Sequence, residues 1–363
     1  AFVAATSLPA GEPVRVRPLV AAESSSAYLF AADPAVALDG ANPAIAFAGA
    51  SQDGRWRLFL SQGGAEPIVV DETLDGDNRL PVLAFPGAGR GPSVAWVQRT
   101  GGRQALLLRE ESADGGARFD IVAATERGII ESPALIHLDP ESPALAWTET
   151  SGSTSAVWFA RRFDGIWHRK RVSRAEHPCE MMPQLLGGEA PRLWFYAWED
   201  GRLSLRSCEV ALWGISAPKT HAAFDAPAER MPLLYAGPTG QRPGAVWLER
   251  EGRGDALLEL KPAGDGGAPG GTESLHPRPA ARLFDPTVVD DGAVAWLAED
   301  EGGRRISLRT ASGAMVELDA TPSARQLRID VSGRRAAMVW INEPADGGDG
   351  RLGAALVDLP TAP

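Results

Sequence analysis

Cysteine, tyrosine and histidine are scarce: two, three and five residues among 363. Two cysteines cannot supply a dense disulfide framework or a four-cysteine zinc site. The histidines (His137, His168, His177, His221 and His276) fall in separate stretches, with no H-x-x-x-H or H-E-x-x-H spacing. That disfavours a zinc hydrolase. No run approaches the twenty or so apolar residues that span a bilayer, so membrane insertion is not expected. A Gly-x-Ser-x-Gly elbow, a Walker loop and a dinucleotide-binding loop are all missing. The glycine-rich stretch from Gly264 to Gly271 is interleaved with Asp, Ala and Pro and reads as a loop. Positive charge is in deficit, 36 Lys and Arg against 47 Asp and Glu, for a formal net charge of −11. Nucleic acid and anionic membrane surfaces are therefore poor partners.

Glycine and proline are plentiful, at 40 and 29 residues, and 44% of the chain is hydrophobic. A large core with many turns and short strands follows. The apolar residues recur in a fixed phrase ending in an aromatic. It reads Pro92-Ser93-Val94-Ala95-Trp96, then Pro143-Ala144-Leu145-Ala146-Trp147, and returns at Trp198, Trp247, Trp296 and Trp340. An early copy, Pro43-Ala44-Ile45-Ala46-Phe47, has Phe in the Trp position. The steps from Phe47 are 49, 51, 51, 49, 49 and 44 residues, by subtraction of those numbers.

An apolar segment precedes each anchor, often with a proline (Pro34, Pro81, Pro133, Pro183, Pro232, Pro286) that suits the first residue of a strand. An alternating strand follows the anchor, as in Arg103 to Arg109, and then a fourth segment. Seven units of four antiparallel strands predict an all-β, seven-bladed β-propeller as one domain over residues 1–363. The blades fall at about 32–71, 81–123, 133–173, 183–220, 232–276, 286–318 and 325–358. The last unit lacks a fourth strand, and residues 13–18 read as the missing one. An N-terminal strand should therefore join the C-terminal blade and close the ring. The anchor tryptophans are expected between blades.

The segment Val157 to Trp167, with Pro143 to Trp147, resembles the repeats of sialidase-like (BNR-type) propellers. Asp164-Gly165-Ile166-Trp167 matches the tail of their Asp-box at the turn between third and fourth strands. Asp53-Gly54-Arg55-Trp56 looks similar but falls one turn too early. The resemblance implies a fold rather than an activity. No sialidase-type arginine cluster is found, and Tyr28, Tyr196 and Tyr235 lie in or near strands.

Polar residues recur ahead of the first strands and after the second strands, at one rim. Asn78, Arg79, Glu131, Glu180, Glu229, Arg230, Arg282 and Asp285 are the candidate ligand or partner residues. They either bind a small polar ligand, glycan or cation, or hydrogen-bond loop backbone blade after blade. The fourth unit departs most from the rhythm, with His177-Pro178-Cys179-Glu180-Met181-Met182. Cys179 and Cys208 could pair as a disulfide, remain free thiols, or bind copper with His and Met; the disulfide is the expectation. Opening at Ala1 without Met fits an exported chain, periplasmic or extracellular, whose signal peptide has been removed.

With no catalytic set, the expected function is a non-catalytic binding or scaffold propeller. It would need no cofactor or metal and would meet a protein partner or glycan, with membership of a larger assembly as a further option. The alternative is a glycoside hydrolase or lyase using paired rim carboxylates among Glu131, Glu180 and Glu229.

Overall fold

The computed structural model describes residues 5–6, 15–19, 28–70, 75–87, 89–111, 116–172, 179–187, 190–211, 214–224, 232–236, 243–251, 254–261, 272–276, 282–289, 291–343 and 350–360. Among them every regular element is a β-strand. The strands form seven successive antiparallel sheets, making the chain a seven-bladed β-propeller. Two compact units divide it. One holds the fifth, sixth, seventh and most of the first blade (Ala1–Gly54, Phe59–Ile68, Arg230–Pro363); the other holds the second to fourth blades (Arg55–Leu58, Val69–Glu229).

The seventh blade takes its outer strand from the N-terminus, as expected. Val16–Pro18 pairs with Arg351–Asp358 in the register Val16↔Val357. Backbone bonds continue the ladder from Asp358 N–H to Arg15 and from Leu19 N–H to Ala354. Pro13 and Val14 lie outside the described residues. A second N-terminal strand, Ala5–Thr6, adds to the outer strand of the sixth blade, Met315–Asp319; nothing in the repeat pattern anticipates it.

The prolines do not open their strands. Pro34, Pro81, Pro133, Pro183 and Pro286 lie inside the first strands Phe30–Asp39, Asp77–Ala84, Ile129–His137, Glu180–Leu186 and Arg282–Val288. Pro232 alone precedes its strand, Leu233–Tyr235. Each interior proline is the second residue of a β-bulge, where no ladder N–H is required. The residue before it is left-handed: Asp33 (φ 50°), Leu80 (54°), Ser132 (49°), Met182 (51°) and Asp285 (45°). Gln326 (54°) does the same in the seventh blade, without a proline. Non-glycine residues rarely adopt this conformation, at a cost of about 1–2 kcal/mol each.

The bulge lies opposite the anchor aromatic. In the second blade Arg79 pairs with Val97 and Val82 with Ala95, leaving Leu80 and Pro81 to face Trp96 alone. The same offset brackets Phe47, Trp147, Trp296 and Trp340. In the fourth blade it brackets Phe195, between Met181↔Tyr196 and Gln184↔Trp194. This corrects the assignment of Trp198, which pairs with Leu203 nearer the turn and is only half-buried. Sequence spacing counts loop residues, whereas the slot is set by the hairpin. Phe195 stands four residues before its strand end at Glu199, as Trp147 does before Ser151.

Four of the anchors pack onto the preceding blade. Trp147 meets Ala95, Val97, Leu106 and Leu108 of the second blade, and Phe195 meets Ala144, Ala146, Val157 and Phe159 of the third. In the other unit Trp296 packs on Val246, Leu248 and Leu257, and Trp340 on Leu297, Ile306 and Leu308. Full burial of one such ring is worth about 5 kcal/mol as an upper bound, several times the strain of its bulge. Gly353 faces Trp340 across the ladder, and a Cβ there would come 2.4 Å from the ring.

Ser132 tests the bulge, being left-handed and exposed. Ser132→Val should destabilise by about 1–2 kcal/mol and Ser132→Gly should be neutral or stabilising by up to about 1 kcal/mol, read from urea unfolding midpoints. Equal effects of both substitutions would contradict this account.

Candidate functional site

The expected rim residues belong to the first strands themselves. Asn78, Arg79, Glu131, Glu180 and Arg282 lie just before the bulge, and Asp285 lies in it. They face the ends of the second strands, in pairs such as Asn78↔Gln98, Glu131↔Thr148 and Arg282↔Glu299. Glu229 and Arg230 fall outside the described residues.

Most of these groups fasten the structure. Asn78 is fully buried; its Oδ1 accepts from Trp96 Nε1 at 2.8 Å, and its Nδ2 donates to Gly76 O at 3.2 Å. The Arg79 guanidinium lies 4.3 Å from the Trp56 ring centroid. Glu180 is 2% exposed and accepts the Val157 N–H of the third blade at 3.1 Å. A carboxylate so enclosed is not open to substrate as a general acid. Glu131 and Arg282 remain on the surface.

Asp285 begins a relay between bulges. Its Oδ2 accepts the Gln326 N–H of the seventh blade at 2.7 Å, and Gln326 Oε1 accepts the Asp33 N–H of the first blade at 2.9 Å. Arg328 stands two residues beyond Gln326. Its side chain keeps solvent contact, yet desolvation by surrounding protein lowers its pKa, with Asp285 and Asp33 opposing. Only Asp285 of this group stood out in the sequence; the others look like ordinary strand residues until the bulges align them.

Cys179 and Cys208 are free thiols, so the expected disulfide is not formed. The ladder explains why. Cys179 O accepts from Trp198 N–H, whereas Cys208 pairs with Leu193. Five residues of strand separate those levels, roughly 17 Å at about 3.4 Å each, against the ~7 Å limit for a bridge. Burial, then Glu180, pushes the Cys208 thiol up to about 12. His177, the histidine of the copper alternative, lies outside the described residues.

Two Ser–His pairs were not legible in the sequence. Ser93 Oγ lies 2.9 Å from His137 Nε2, and Ser207 Oγ lies 2.8 Å from His221 Nε2. Both serines are 1% exposed, so neither can meet a substrate as a nucleophile. Burial, reinforced by the positive charge of Arg162, lowers His137 to about 4. The buried charge fastener is Arg162 itself, which binds Glu110 and also Asp120 (3.0 Å) of the second blade. Trp167 Nε1 donates to Asp120 as well, at 3.1 Å. Burial works to raise the Asp120 carboxyl, but bonds from Trp167, Arg118 and Arg162 outweigh it and hold it low. The Asp-box likeness next to this cluster resolves into a two-residue hairpin turn, with Asp164 (φ 48°) and Gly165 (φ 75°) both left-handed.

No protein-family model and no curated protein sequence matches the chain. Solved structures do. A puromycin hydrolase superposes with a TM-score of 0.56 at 17% identity, covering 86% of this chain and 50% of its own. A puromycin-hydrolyzing peptidase of Mycobacterium tuberculosis gives 0.56 at 14%, covering 95% of this chain and 56% of its own. One prolyl endopeptidase structure gives 0.52 at 12%, covering 90% and 47%. The chain thus spans about half the length of these structures. At such identities the likeness shows the fold alone. It nevertheless overturns the expectation of a non-catalytic binding or scaffold propeller, with a glycosidase as alternative, because these similar folds belong to peptidases.

Three measurements check the fasteners. Arg162→Met should destabilise by about 3–5 kcal/mol, since it strands the partly buried Glu110 carboxylate and takes one of three donors from Asp120. Thiol titration without reductant should find two thiols in denaturant and at most Cys179 in the folded protein. His137 is held neutral by folding, below an unfolded value of about 6.5. Its contribution is therefore complete above pH ~6.5 and is lost as pH falls toward 4. His137→Gln should flatten that part of a stability–pH curve.

Proposed function

We propose that the chain is the propeller portion of a peptidase-related protein, acting on peptides together with a hydrolase domain that supplies the nucleophile. The observation that carries this reading is the superposition of 86–95% of the chain on about half of each of two puromycin-hydrolysing enzymes. The chemistry of the chain agrees with a division of labour. Among the described residues the serines that meet a histidine are buried at 1% exposure. The sialidase-like resemblance, resting on one Asp-Gly hairpin, gives less support to a second reading.

A fluorophosphonate probe tests the proposal. The purified chain should remain unlabelled, and Ser93→Ala and Ser207→Ala should change nothing. The protein isolated from its native host should carry, in the same polypeptide or in a bound one, a labelled serine hydrolase that cleaves aminoacyl or prolyl coumarin amides. Labelling of Ser93 or Ser207, or isolation with no labelled hydrolase, would overturn it.

A further inference from the structure

The third strand of the third blade, Thr154–Phe163, carries two consecutive arginines. The two-residue period of a strand sends them to opposite faces. Arg162 meets the carboxylates of Glu110 and Asp120 on one side. Arg161, 3% exposed, has no such partner on the other. Its Nη1 donates to Ala211 O at 3.0 Å, and its guanidinium lies 5.1 Å from the Phe163 ring centroid. Among the described residues no carboxylate forms an ion pair with it, and Asp139 acts only at longer range. A buried guanidinium without a counterion is costly, which marks the site as incomplete.

Arg161 lines a cleft of about 380 Å³ with Phe159, Phe163, His168, Lys170, Gly214 and Ile215. The ladder explains the grouping. Arg161 pairs with His168 and Phe159 with Lys170, so these four side chains share one face. The short strand Gly214–Ile215 folds back on Val210 and Ala211 of the fourth blade and completes the wall. Arg169 also borders the cleft, but its guanidinium lies 4.9 Å from the Trp158 ring centroid. None of the described lining residues is acidic, in a chain of net charge −11. Keeping an edge strand from pairing with other chains accounts for exposed cations such as Lys170. It does not account for a cation buried behind them.

We propose that this cleft binds a small amphipathic anion, a carboxylate or phosphate monoester on an apolar body. Arg161 donates to the anionic group, Lys170 and His168 flank it, and the apolar body lies on Phe163 and Ile215. The volume suits such a ligand. The proposal is independent of the peptidase reading.

Titration of the whole chain with N-acetylphenylalanine and with phenyl phosphate, followed by calorimetry, tests it, and the two probes separate the carboxylate and phosphate sources. Saturable binding of at least one is expected, weakened by salt and absent for N-acetylphenylalanine amide. Losing the charge-assisted bonds in Arg161→Gln should weaken binding about ten- to a hundredfold. Should that variant fail to fold, Lys170→Gln, at an exposed position, should still weaken it severalfold. Absence of saturable binding to both anions, equal binding of the amide, or unchanged affinity in Lys170→Gln would each overturn the proposal.

Discussion

The interaction on which the blades depend is the opposition of one large aromatic ring to a left-handed bulge. A flat ladder would place an ordinary pair at that level and leave the ring no clearance. Two residues facing one bend the first strand away, and the ring packs on the neighbouring blade. The backbone strain is local and small beside the apolar area that the ring removes from water. This explains why Leu80 and Met182, poor candidates for positive φ, are held there. It also explains why proline recurs, since the second bulge residue needs no donor and gains from a fixed φ.

The sequence made the architecture legible because the aromatic and the proline are both large signals with a constant relation to the hairpin. The number of blades and the completion of the last one by Val16–Pro18 could be read from them. What it hid were relations between chain segments of different length. Trp198 satisfied the spacing while Phe195 filled the slot, because loop residues shift the count without shifting the ladder. The two cysteines seemed close in one unit but sit five ladder levels apart. Rim residues were identified as polar, yet polarity alone did not distinguish a ligand contact from the Glu180 carboxylate that fastens Val157. The Arg161 cleft was not legible, since only the ladder shows that Arg161, His168, Phe159 and Lys170 share one face.

Charge is handled differently on the two faces of the third blade. One face satisfies its arginine internally, with two carboxylates and a tryptophan N–H around it. The other leaves an arginine beside an opening that holds no acid. A repeat protein builds its blades by satisfying polar groups in the same way each time, so unequal treatment of neighbouring residues is where function can be sought. This asymmetry gives one face of the fold a chemistry.

The strand that completes the seventh blade has a consequence for biosynthesis. Val16 and Val357 are partners 341 residues apart, by subtraction of their numbers. At translation rates of about 5–20 residues per second, the N-terminal strand waits roughly 20–70 s for its neighbour to be made. Through that interval the earlier blades can form by hairpin pairing, while this segment remains an unpaired strand beside its own nascent chain. The pairing that completes the seventh blade is therefore both late and long-range, and a cell that makes this chain must keep that short segment from pairing elsewhere first.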